Sequence, residues 1–182
     1  MTRHNIGWQV LDAYRAAVGL PEPVASAAYS GRVSTGVSKG AEVTVLYPET
    51  FMNNSGSAVK KLVPAAEVSQ VIVVYDDIDI PFGDIKISVG KSGGTHNGVT
   101  SVVQALKSKD FVQVRVGIAP RSLLSGTVHT PRGAKQAAYV LGNFSLRERL
   151  KLTHICDQAA NAITEIIQRG PQAAMNTHQI RT

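Results

Sequence analysis

Val71-Ile72-Val73-Val74-Tyr75, running straight into Asp76-Asp77-Ile78-Asp79-Ile80-Pro81, is the stretch from which the architecture is read. The first half is a short apolar run of mostly β-branched residues, the pattern of a strand covered on both faces and so expected at the centre of a sheet. The second half sets Asp76, Asp77 and Asp79 at or just beyond the C-terminal end of that strand. In open α/β sheets ligands bind outside the carboxyl ends of the strands, so a site is expected here.

Outward from this stretch, strands and helices alternate. Upstream, Ala41 to Pro48 reads as a strand and Ser55 to Leu62 as a helix; further back, Ile6, Val10, Leu11, Tyr14 and Val18 recur at helical spacing until Gly19 and Pro21 end the pattern. Downstream, a strand is expected from Asp84 to Val89. The glycine-rich segment Gly90 to Gly98 then leads into a helix from Val99 to Leu106, and a further strand, Gln113 to Ile118, carries Arg115. Arg121 to Lys135 is polar and contains Gly and Pro, as suits a mobile loop. Ser145-Leu146-Arg147-Glu148 has the capping-box form and opens a long helix whose apolar stripe is Leu146, Leu150, Ile155, Ala159, Ile163 and Ile166, stopped by Gly170-Pro171. The fold class is therefore α/β: a single-domain three-layer sandwich over residues 1–182, with a twisted mixed central sheet flanked by helices.

Composition bounds the function. With 43% apolar and 18% charged residues among 182, the chain is expected to fold around one core. No run approaches the roughly 20 apolar residues that cross a bilayer, and Met1-Thr2-Arg3-His4-Asn5 does not begin a signal peptide, which points to a soluble intracellular protein. Cys156 is the only cysteine, so an internal disulfide and a cysteine-rich zinc site are excluded, and it reads as core filling. The excess of 19 Lys and Arg over 13 Asp and Glu, a formal +6, favours polyanionic partners through phosphate neutralisation.

Several chemistries drop out. The glycine-rich segment lacks the Walker spacing of an NTPase, and no Gly-x-Ser-x-Gly elbow of a serine hydrolase occurs. The histidines, His4, His96, His129, His154 and His178, lie scattered without metal-ligand spacing. General acid–base chemistry remains.

Successive blocks then carry a resemblance: Thr2-Arg3-His4-Asn5-Ile6-Gly7, Thr50-Phe51-Met52-Asn53-Asn54-Ser55-Gly56, Asp76-Asp77-Ile78-Asp79-Ile80-Pro81 with Gly83, Gly94-Thr95-His96-Asn97-Gly98, and Arg115-Val116-Gly117-Ile118. In this order they resemble the signature blocks of bacterial-type peptidyl-tRNA hydrolases. Weaker similarity covers nearly all the remaining chain, including Val140-Leu141-Gly142. The resemblance implies an enzyme that cleaves the ester between a nascent peptide and the terminal ribose of tRNA, without metal or cofactor. It further implies a monomer, in the cytoplasm or in a mitochondrion or plastid. By position, His4 matches the family's general base and Asp76 the carboxylate that orients and charges it. Asn53 and Asn97 match the asparagines that hold substrate and attacking water, Met52 matches the residue lining the pocket for the terminal adenosine, and Lys86 and Arg115 match basic positions associated with tRNA phosphates.

The residue types agree with that chemistry. A neutral imidazole takes a proton from water near pH 7, and a carboxylate on its other nitrogen fixes the tautomer and stabilises the imidazolium. Amide side chains donate and accept, so Asn53 and Asn97 can orient water and donate toward charge developing on the carbonyl oxygen. Blander readings exist for each: His4 at the start of a helix or on the surface, Asp76 and Asp79 as turn formers, Asn53 and Asn97 as helix caps, Met52 as core filler, Lys86 and Arg115 as solvated strand residues.

Family members usually begin with a strand and a Gly-Asn-Pro-Gly type turn before the Thr-Arg-His block, whereas only Met1 precedes Thr2 here. The expectation is a domain truncated at its N-terminus, lacking one strand and the substrate-binding asparagine of that turn. Milder departures are Tyr75 where histidine is common, Ala119, which shortens the usual Gly-x-Pro after Arg115, and Gln113 replacing a basic residue. The runner-up function is a non-catalytic RNA-binding relative. A small-molecule α/β hydrolase or amidase, which would show no salt-dependent RNA binding, is a third class.

Overall fold

The structure is a computed structural model that describes residues 2–121 and 127–178. Along the chain come α1 (Ile6–Val18), β1 (Val24–Ser26), β2 (Gly31–Ser38), β3 (Ala41–Pro48), α2 (Ser55–Leu62), β4 (Ile72–Pro81) and β5 (Ile85–Val89). They are followed by α3 (Asn97–Leu106), β6 (Val112–Ala119), α4 (Ala134–Val140), α5 (Leu146–Arg169) and α6 (Pro171–His178). The strands form an antiparallel sheet ordered β1-β2-β3 and a second sheet ordered β4-β6-β5. Mixed and antiparallel sheets with helices on them are the α/β class read from the sequence. α1, β3 and α2 occupy the expected residues; β1, β2, α4 and α6 were not anticipated.

The chain divides into two compact units. The first comprises Met1–Tyr14, Val74–Ile87 and Val114–Thr182. Its core draws on Ile6, Val10 and Tyr14 of α1, Ile78, Ile80, Ile85, Val114, Val116 and Ile118 of the sheet, and Ile155, Ala159, Ile163 and Ile166 of α5. β4 and β6 run parallel, since Val112 N–H bonds the Val71 carbonyl at their beginnings and Phe82 N–H bonds that of Ala119 at their ends. After β4 the chain turns back through Gly83, whose φ of 95° is open to glycine alone at little cost. Gly83 N–H bonds the Gly117 carbonyl while Gly117 N–H bonds that of Asp84, so two residues oppose one in a glycine-led bulge. Gly117 itself has no room for a side chain, because a Cβ there would collide with the Pro81 carbonyl.

Three expectations need correcting here. The strand does not stop at Tyr75 but continues to Pro81, so the carboxylates stand within it. Pairing of Asp76 and Asp77 with basic side chains removes the cost that would otherwise keep acids out of a buried strand. Nor is this strand central: among the described residues β6 lies in the middle of its sheet and β4 at the end of the order, its apolar run covered in part by α1. Finally, Leu146 and Leu150 are 79% and 86% exposed, so the buried stripe of α5 begins only at Ile155. The capping box itself is present, with Ser145 accepting from Glu148 N–H and the Glu148 carboxylate from Ser145 N–H. Of the stretch read as a mobile loop, residues 122–126 lie outside the described residues. Arg121 bridges Val128, and α4 already begins at Ala134. Cys156 is buried as expected, and burial pushes its thiol up to about 12.

The second unit comprises Arg15–Val73 and Ser88–Gln113. β2 and β3 form a hairpin in register from Gly31↔Pro48 to Ser38↔Ala41, closed by Lys39 and Gly40, both at positive φ as such a two-residue turn requires. α2 lies against α3 through Gly56, whose N–H donates to Ser101 Oγ at 3.0 Å. A Cβ on Gly56 would meet the Ser101 carbonyl, so this contact sets the distance between the helices.

Candidate active site

In the first unit the sequence places His4 in a short 3-10 turn, Arg3–Asn5, that feeds directly into α1. Gly7 follows one turn later and faces the Val74 carbonyl, bringing α1 close against β4. Asp76 lies two residues beyond Val74 on the same strand face, since side chains alternate along a strand. The result is a hydrogen bond of 2.8 Å between His4 Nδ1 and Asp76 Oδ1. The Asp76 side chain is 2% exposed and that of His4 15%, so the pair is largely out of water while the ring keeps an accessible edge. The ionised carboxylate can only accept, so Nδ1–H donates to it and the basic lone pair belongs to Nε2.

Tyr75, Asp77 and Asp79 alternate onto the opposite face of β4. Arg115 of β6 reaches Asp77 Oδ2 through Nε at 2.8 Å and Nη2 at 2.7 Å, and Asp77 Oδ1 accepts Asp79 N–H at 2.8 Å. Arg132 pairs with Asp79 at 2.8 Å. Tyr75 is raised to about 12, chiefly by burial, against the opposing pull of the Arg115 guanidinium. Lys86 is exposed on β5, and counting on from the bulge sets it opposite Arg115. The two expected phosphate-binding cations thus neighbour each other on the face away from the His4–Asp76 pair. Asp77, to which no role was given, is the counter-ion of one of them. Consecutive carboxylates in a strand serve different faces, a signal hidden as long as Asp76 and Asp77 read as lying at or beyond the strand's end.

The second unit gathers the remaining site residues. Met52 and Asn53 lie in a 3-10 turn, Met52–Asn54, just before α2, and Asn97 is the first residue of α3. A Cβ on Gly98 would stand 2.5 Å from Met52 Sδ and 3.0 Å from the His96 ring, so the missing side chain lets Met52 reach the start of α3. Neither asparagine caps a helix. The position before α2 is Asn54, and the cap of α3 is His96, whose Nδ1 accepts Val99 N–H at 3.2 Å. Asn53 and Asn97 are both exposed.

An α/β protein with a histidine held by a buried carboxylate is equipped for proton transfer in hydrolysis. Comparison with known proteins gives the class a family. The family model described as peptidyl-tRNA hydrolase matches residues 1–182. A peptidyl-tRNA hydrolase of Syntrophotalea carbinolica is 38% identical over 178 residues, 96% of this chain and 87% of the relative. One of Mycobacterium tuberculosis has the same identity and the same coverage. A crystal structure of a peptidyl-tRNA hydrolase in complex with n-propanol shares 25% identity and has a TM-score of 0.83, covering 100% of this chain and 88% of that one. This chain belongs to the peptidyl-tRNA hydrolase family.

Proposed function

We propose that this chain hydrolyses peptidyl-tRNA, with water attacking the ester that joins the peptide to the terminal ribose and His4 acting as general base. The observation that carries the mechanism is the His4–Asp76 hydrogen bond of 2.8 Å with its carboxylate almost wholly buried. His4 Nε2 takes the proton of the attacking water, and Asp76 stabilises the imidazolium that forms; the proton then passes to the departing ribose oxygen. Asn53 and Asn97 hold water and the substrate carbonyl, donating toward its developing charge, and Met52 offers an apolar surface to the terminal adenosine. Lys86 and Arg115 neutralise phosphates of the tRNA.

The mechanism calls on no metal, so a chelator should leave the rate unchanged. We place the activity in a monomer, in the compartment where peptidyl-tRNA arises, the cytoplasm. No helix among the described residues is long and apolar enough to cross a membrane. Names of the relatives support hydrolysis, and nothing in the comparisons favours a non-catalytic RNA-binding protein. The test is single-turnover cleavage of an N-blocked aminoacyl-tRNA. The parent should release the blocked amino acid and His4→Ala should not; tRNA binding by the parent without release would overturn the proposal.

A further inference from the structure

We infer that Arg3 and Glu148 form a clamp that positions His4, so that the Glu148 carboxylate, through Arg3, governs the geometry of the base; this rests on the reading of His4 as the general base. Arg3 immediately precedes His4, and its side chain is 11% exposed. Its Nη2 donates to Glu148 Oε2 at 2.9 Å and its Nη1 to the Tyr139 carbonyl at 3.4 Å. The guanidinium lies 4.2 Å from the Tyr139 ring centre and 5.4 Å from that of Phe144. Arg3 N–H also bonds the Gly142 carbonyl at 3.0 Å, and Thr2 bridges Asn143. Gly142 leaves the space this requires, since a Cβ there would stand 3.1 Å from Arg3 Nη1.

A planar cation stacked on rings and tied to a carboxylate has few rotations left, which a lysine in its place would keep. Fixing that plane one residue before His4 fixes the turn from which the imidazole projects. Net stability is a poor reason for such an arrangement, because desolvation of a buried ion pair offsets most of its attraction. Glu148 also has a second duty. The same Oε2 accepts Ser145 N–H at 2.6 Å, so one carboxylate closes the start of α5 and holds Arg3. His4 is thereby held from both sides, by Arg3 upstream and by the Gly7–Val74 approach downstream. Arg3 is a positioning residue, acting through its neighbour.

The test compares Arg3→Lys, which keeps the charge but not the plane, with Glu148→Gln, which keeps an acceptor for Ser145 N–H but loses the ion pair. Ser145→Ala is the control, loosening the start of α5 without touching Arg3. For each variant, at a temperature where circular dichroism shows it folded, kcat and KM on peptidyl-tRNA are measured. The His4 imidazole nitrogens are followed by NMR, which needs no turnover. Arg3→Lys and Glu148→Gln should lower kcat about tenfold with KM changed less than about twofold, as expected for misorientation of a catalytic group. Both should shift the His4 Nδ1 resonance, and Ser145→Ala should do neither. Unmoved His4 resonances in the folded variants, or an equal kcat loss in Ser145→Ala, overturn the clamp. Shifted resonances together with parent-level turnover in His4→Ala overturn the general-base reading instead.

Discussion

Gly7 of α1 faces Val74 of β4 so closely that a Cβ on Gly7 would stand 2.5 Å from the Val74 carbonyl oxygen. His4 lies about one helical turn before that contact and Asp76 two residues after it, so the approach of helix to strand and the 2.8 Å hydrogen bond are set together. Gly7→Ala should push α1 off the strand at a cost of about 1–3 kcal/mol, the usual range for overpacking. It should also lower the cleavage rate at temperatures where the variant is folded. Denaturant unfolding and single-turnover cleavage measure the two effects, and a destabilised protein with parent-level cleavage would separate them.

Asp76→Asn keeps the size of the side chain but not its charge. The imidazolium loses its partner, and the rate should fall by roughly 10²-fold or more, a range typical of general-base assistance. Folding should be largely retained and tRNA affinity little changed. A pH–rate profile superimposable on that of the parent would count against the pairing of these residues in catalysis.

Lys86 and Arg115 are separable by stability. Replacing either with Ala should reduce the slope of log K for tRNA against log salt by about one. Only Arg115→Ala should also lower the unfolding free energy, on the order of 2 kcal/mol, because it leaves the Asp77 carboxylate buried beside Tyr75 without its cation. Asp77→Asn added to Arg115→Ala should recover part of that loss. Equal salt slopes for parent and Lys86→Ala would return Lys86 to the solvated surface.

Alkaline pH should destabilise the protein through two buried acidic groups outside the proposed proton-transfer pair. Cys156 rises from 9.0 to about 12 and Tyr75 from 10.0 to about 12, each chiefly by burial. The unfolded chain therefore loses these protons first, so stability is level with respect to them below pH 9 and declines between pH 9 and about 12. Urea midpoints measured across this range should show the decline, and Cys156→Ala should flatten its lower part. A parent midpoint that is constant up to pH 12 would contradict the burial of both groups.

Leu146→Lys and Leu150→Lys should each change stability by no more than about 0.5 kcal/mol, as for ordinary surface substitutions. Thermal unfolding of the two variants checks this. A loss typical of core truncation would restore both residues to the buried stripe.

Much of the fold was legible because its signals are local. The periodicity from Ile6 to Val18, the alternation from Ala41 to Pro48 and the Ser145–Glu148 capping box each depend on residues within one element. What could not be read depended on partners far along the chain. Asp76 and Asp77 look like loop residues until His4 and Arg115 are beside them, and Leu146 and Leu150 fit the helical period although no element among the described residues covers them. His96 rather than Asn97 caps α3 because an imidazole nitrogen can accept as well as an amide oxygen, which propensity alone does not distinguish. The family blocks supplied residue types for the site, whereas the acid on Arg115 and the packing around Arg3 emerged only from the fold.

The first unit is assembled from separate stretches of chain, and His4, Asp76 and Glu148 come from different ones. The His4–Asp76 contact closes over 72 positions and the Arg3–Glu148 contact over 145. Contacts of such span form late, after the intervening chain is available. During its own synthesis this protein is itself a peptide esterified to tRNA, and Glu148 joins the chain 145 positions after Arg3. A growing copy therefore holds His4 without the Arg3–Glu148 contact until position 148 has been reached.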